Sequence, residues 1–188
     1  MKRFVFYSTW LILLFLTGCI SFTFNPIYTE KDLIFEPALS GLWSEPDSRD
    51  TYKFARAGEK SYELVYTDEN GYKGTFEVHL VNLGGTMFLD LYPRKKEITN
   101  NEFYNAHFLV LHSIVYVEQI EPTLKISMMN DDWLKEYLEE NPTAISYQIF
   151  NDNVVLTAPT EEVQAFLVSH VHMEGAFETP TEMIRLDK

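Results

Sequence analysis

Few side chains in this chain can do chemistry. Cysteine occurs once, as Cys19, at the end of the run Leu16-Thr17-Gly18-Cys19. A thiol is the strong, soft nucleophile among side chains near neutral pH. Three further residues form one candidate set: His79, Asp90 and His112. Each falls in a stretch that reads as a strand. On neighbouring strands they would point into one barrel interior and offer imidazole and carboxylate ligands to a divalent metal. That is the basis for a metal-dependent hydrolase. Their spacing is not a metal signature, and the plain alternative is a solvent-facing or mutually satisfied polar cluster. His170 and His172 fall at a helix end, where a cation suits the helix dipole.

No other catalytic pattern is present. There is no Gly-x-Ser-x-Gly elbow, no phosphate-binding glycine loop and no His-Glu-x-x-His, so neither enzyme activity nor a cofactor is expected. Ser113 follows His112, but adjacent strand residues face opposite ways. Asp131-Asp132 and Glu139-Glu140 read as helix capping and a solvated helix face. Arg94-Lys95-Lys96 reads as a solvated loop, or as a contact to anionic lipid. The aromatic residues Trp43, Tyr52, Phe54, Tyr62, Tyr66 and Phe76 are candidates to line a cavity for a small apolar ligand. The plain alternative is that they are filler, since small barrels are usually packed solid by such side chains.

Cys19 gains meaning from what precedes it. Lys2 and Arg3 are followed by a mostly apolar stretch from Phe4 to Leu16, then by Thr17-Gly18. A basic start, an apolar middle and small residues at the cut make a secretory signal. The apolar run is about 13 residues, short of the roughly 20 that a spanning helix needs. With cysteine first after the cut, the pattern resembles the lipobox of bacterial lipoproteins. That resemblance implies a diacylglyceryl group on the Cys19 thiol, cleavage after Gly18, and a further acyl chain, such as palmitate, on the new amino end. Two or more chains anchor a protein stably where one is marginal. Residues 1–18 are therefore expected to be a lipoprotein signal peptide, 19–40 a lipidated N-terminus and tether, and 41–188 the folded domain. Ile20-Ser21 lacks the acidic pattern that resembles inner-membrane retention, which favours the outer membrane, facing the periplasm, in a Gram-negative cell.

Charge narrows the partners. The 188 residues carry 15 basic and 28 acidic side chains, a net −13. Loss of Lys2 and Arg3 with the signal leaves 13 basic against 28 acidic side chains, or −15. Such a surface repels phosphate backbones and anionic headgroups, which excludes nucleic acid as a partner. The 14 Phe and 11 Tyr favour strands.

The elements follow from periodicity and turns. Asn25-Pro26 and Glu36-Pro37 punctuate the segment before Gly41. Thr51–Ala57, Ser61–Thr67, Thr75–Leu83 and Thr86–Tyr92 alternate apolar and polar residues. Gly58, Asn70-Gly71 and Gly84-Gly85 fall between them, so the four read as a hairpin-linked antiparallel meander. His107–Gln119, Leu124–Met129, Ala144–Phe150, Asn153–Ala158 and Thr181–Leu186 add further strands. Asn130 and Thr160 read as caps of two short helices. The sum is a mainly β chain of about eight or nine antiparallel strands, which closes into an up-and-down barrel because closure removes exposed edges.

Leu39-Ser40-Gly41-Leu42-Trp43 resembles the Gly-x-Trp start of lipocalin-like domains. Phe88-Leu89-Asp90-Leu91-Tyr92-Pro93, Asp132-Trp133-Leu134 and Leu156-Thr157-Ala158-Pro159-Thr160-Glu161-Glu162 resemble a family of uncharacterised bacterial lipoproteins with a lipocalin-like β-barrel, over about residues 37–187. The resemblance implies a cavity for an apolar ligand and supplies no activity. Two readings follow: a membrane-anchored module binding a small apolar ligand, or a packed structural component that docks on an envelope protein.

Overall fold

The computed structural model describes residues 21–94 and 108–187. The expected signal peptide, residues 1–18, and Cys19 lie outside the described residues. Twelve strands and two helices are defined among those residues. In chain order they are β1 (Phe22–Thr23), β2 (Leu33–Ile34), β3 (Gly41–Ser44), β4 (Thr51–Arg56), β5 (Tyr62–Thr67), β6 (Lys73–Leu83), β7 (Thr86–Pro93), β8 (His112–Gln119) and β9 (Leu124–Met128). There follow α1 (Asp131–Glu140), β10 (Tyr147–Phe150), β11 (Asn153–Leu156), α2 (Thr160–His170) and β12 (Thr181–Arg185).

Eight strands close a ring. β3 to β9 follow one another as an antiparallel meander, and β12 joins β9 back to β3. The ring is an antiparallel up-and-down barrel, as the alternating pattern predicts. The register is set by which face can be buried, since a one-residue slip would turn every side chain over. On β6, Val78 and Leu80 pack inside the ring, while Val81 and Leu83 face out. The outward residues are also buried. Together with Phe88 and Ile114 they form a second core against Leu134 and Leu138 of α1 and Phe166 and Leu167 of α2. The molecule thus has one core inside the barrel and another between the barrel wall and the helical layer.

One end of the barrel is plugged. Residues Pro37–Leu39 form a single 3-10 turn, and Leu39 packs among Trp43, Tyr62 and Leu80. Trp43 Nε1 donates to Leu39 O at 2.9 Å. The Tyr62 hydroxyl accepts from Glu36 N at 2.7 Å and donates to Glu36 O at 3.0 Å. The Arg185 guanidinium lies 4.4 Å from the Trp43 ring centre and donates to Ser40 O and Ala38 O. Gly41 adopts φ +156°, and a Cβ there would fall on Arg185 Nη1. Glycine at 41 and tryptophan at 43 therefore let one arginine close the barrel over its plug.

Three expectations need correction. Residues 21–40 are not a tether: Ile27, Leu33 and Leu39 are buried, β1 pairs parallel with β11 and antiparallel with β8, and β2 pairs with β6. Apolar side chains that find a wall to cover do not stay in water. Asp131 does not belong to a solvated face; it is 1% exposed. Thr160 is not the cap of α2. Pro159 holds that position, and the Thr160 hydroxyl donates to Pro26 O at 2.8 Å. Asn130 does cap α1, accepting from Trp133 N at 3.0 Å.

Candidate functional site

The structure brings His79, Asp90 and His112 together, on the outer wall of the barrel and not in its interior. His79 and Asp90 are direct cross-strand partners, and Asp90 lies opposite Ile114, two residues from His112. Side chains alternate along each strand. Leu80, Leu89 and Val115 occupy the inside, so these three must face out. They escape water because the segment after β1 crosses over them. Ile27 N donates to Asp90 Oδ2 at 2.9 Å, and Asp90 is fully buried. Its other oxygen, Oδ1, accepts from His112 Nδ1 at 2.6 Å.

That arrangement corrects the metal reading. Both Asp90 oxygens are already used, and His79 Nε2 sits 3.8 Å from Glu77 Oε1. Among the described residues no group of three or more His, Cys, Asp or Glu is placed to hold a metal. The buried carboxylate orients the His112 ring and calls for a proton on Nδ1, the nitrogen that faces it. Ser113, the neighbour of His112 in sequence, lies on the opposite face of β8 and does not join the pair.

Around the pair lies a cleft of about 420 Å³. Its walls include Phe24, Tyr28, Glu77, Tyr92, Leu109 and both imidazoles. Tyr28 packs on His79 with ring centres 4.4 Å apart, and Tyr92 on His112 at 4.5 Å. Burial lowers the His79 pKa below its ordinary value, against the opposing pull of Glu77 and Asp90. Burial, and next the Asp90 carboxylate, push the Tyr28 phenol up to about 12. Tyr28 carries no sequence signal of its own for this cleft, because it lies in a short segment whose partners are distant in the chain. The alternation of Ile20-Ser21-Phe22-Thr23-Phe24 is the period-two signal that a strand there would give.

Inside the barrel, away from the plug, is an apolar cavity of about 150 Å³. Of the six aromatic candidates, Tyr52 and Phe54 line it, with Leu64, Leu91, Val115 and Thr181 among the other walls. Trp43 and Tyr62 instead fill the plugged end. The Tyr66 hydroxyl donates to Asp50 Oδ2 at 2.8 Å, and Phe76 packs against the inner core without lining the cavity. The aliphatic walls carried no distinctive sequence signal, since Leu and Val alternate in every strand. His170 Nδ1 lies 2.7 Å from Phe166 O, near the end of α2. Arg94 pairs with Glu63 at 2.6 Å, while Lys95 and Lys96 lie outside the described residues. No helix among the described residues is long and apolar enough to cross a membrane. No protein-family model, curated protein or solved structure matches this chain.

Proposed function

We propose that this chain is a lipid-anchored bacterial lipoprotein of lipocalin-like type, acylated at Cys19, whose barrel accepts one small apolar group. The observation that carries the reading is the cavity bounded by Tyr52, Leu64, Leu91 and Val115. Dry apolar cavities of about 150 Å³ admit a benzene-sized guest. The size supports a ring or the end of an acyl chain, and it is below the 300–1,000 Å³ typical of pockets that engulf a whole drug-sized ligand. Benzene titration followed by protein NMR tests this: shifts should cluster at Leu64, Leu91, Val115 and Met128. Thr181→Phe, at the rim, should abolish them in a protein that still melts cooperatively. Shifts spread evenly over the surface would end the reading.

A second reading, a protein-interaction component of the envelope, is favoured by exposed Phe24, Tyr92 and Leu109 around the outer cleft. Crosslinking in intact cells from a photoreactive residue at 109 tests it. A discrete protein adduct supports docking, and its absence at several sites around the cleft counts against it.

A further inference from the structure

Ser21 stands two residues after Cys19 and is 1% exposed. Its hydroxyl donates to Asp131 Oδ1 at 3.0 Å, and the same oxygen accepts from Val154 N at 2.9 Å. The other Asp131 oxygen is paired with Lys135 Nζ at 2.6 Å. The chain is therefore pinned to the body at its first described residue. Parallel pairing of Phe22 with Val155 sets Ser21 alongside Val154. In the neighbouring hairpin Val154 faces Ile149, and Asn153 faces Phe150. Asn151 and Asp152 make the tight turn, with φ of +48° and +62°. Followed back from Thr23 to Ser21, the chain thus runs toward the β10–β11 turn.

Chain reach turns this into a statement about distance. Two residues span at most about 7 Å. The headgroup layer on each side of the hydrocarbon is about 5–8 Å thick. Acyl chains on Cys19 would bring Ser21 to the lipid surface, and the hairpin beside it must come too. That hairpin carries Ile149 and Phe150, which are 52% and 64% exposed. Strand β10 ends the sheet path, with no further strand on its free side among the described residues. Apolar side chains on a free edge strand are a hazard in water, whereas aromatic and aliphatic side chains are favourable at a bilayer interface.

We infer that the tip of the β10–β11 hairpin sits in the lipid headgroup layer beside the anchor, with Phe150 as its apolar contact. This holds the body flush against the bilayer in one orientation. The inference rests on acylation of Cys19, as proposed above, and adds the surface that meets the lipid.

The test uses the acylated protein in vesicles of phosphatidylethanolamine and phosphatidylglycerol. With Cys19 blocked by its lipid, Phe150→Cys provides the one free thiol for a fluorophore. Tyr72→Cys, exposed in the β5–β6 turn and several strands away in the sheet, provides the comparison. Lipids carrying a shallow nitroxide should quench the label at 150 several-fold more than the label at 72. Mass analysis of Cys19 and vesicle flotation are measured on the same samples. Acylated, floating protein with equal weak quenching at both sites overturns the orientation and leaves the anchor standing. An unacylated Cys19 overturns both.

Discussion

A carboxylate taken out of water must be met by donors or a cation, or its burial costs several kcal/mol. Asp131 and Asp90 are each met in full. Asp131 receives Ser21, Val154 and Lys135, and so joins the start of the body, β11 and α1 at one side chain. Asp131→Asn keeps the volume and an acceptor for Ser21 and Val154, but it removes the charge and turns an NH2 donor toward the Lys135 ammonium. It should lower unfolding stability by about 1–3 kcal/mol, read as a shift in urea midpoint with unchanged slope. Asp90 likewise joins Ile27 to His112.

His79 next to it supplies a pH prediction. Its pKa is lowered in the folded state, chiefly by burial. Below the ordinary value of about 6.5 the unfolded chain binds the proton first. Stability should therefore be lost as pH falls from 6.5 toward the folded value. His79→Phe should flatten the dependence of the urea midpoint on pH between about 7.5 and 5. An unchanged profile would mean that the histidine is not desolvated in solution.

The plug, the hairpins and the helices show what short segments contribute. Gly41 is needed both for its φ and for the space that Arg185 takes. Gly41→Ala should cost about 1–3 kcal/mol and expose Trp43, seen as a red shift of its emission and a lower melting temperature. Arg185→Lys keeps the charge but loses the planar fork that reaches Ser40 O and Ala38 O and the stacking on Trp43. It should give the same optical signature. Where turn chemistry is local, the sequence reading is close. Gly71, Gly84 and Gly85 all take positive φ at the turns where hairpins were expected. It is less close where partners are distant, as with the cap of α2. Proline holds that cap because Thr160 is drawn away to Pro26.

Across the whole molecule, the N-terminal segment closes two structures at once. Ile27 and Leu33 complete the outer core, and Leu39 completes the inner one. Each such side chain contributes about 2–5 kcal/mol when deleted from a core, against a total stability of about 5–15 kcal/mol for a typical domain. A chain beginning at Gly41 should therefore fail to fold, giving aggregated material without a cooperative melt. A chain beginning at Ser21 should be monomeric and melt sharply. Equal melting of the two would return residues 21–40 to the role of a tether.

The amino-acid order by itself specifies most strands, the hairpin turns, the barrel and the capped start of α1. Period-two burial, positive-φ glycines and side-chain caps act within a few residues of one another. It also groups His79, Asp90 and His112 on strands that prove to be neighbours. The face they share was not legible there, nor was the parallel seating of β1 on β11. Both depend on register and on a second layer covering the barrel wall, and these are set by burial between segments more than 60 residues apart, such as Ile27 and Asp90.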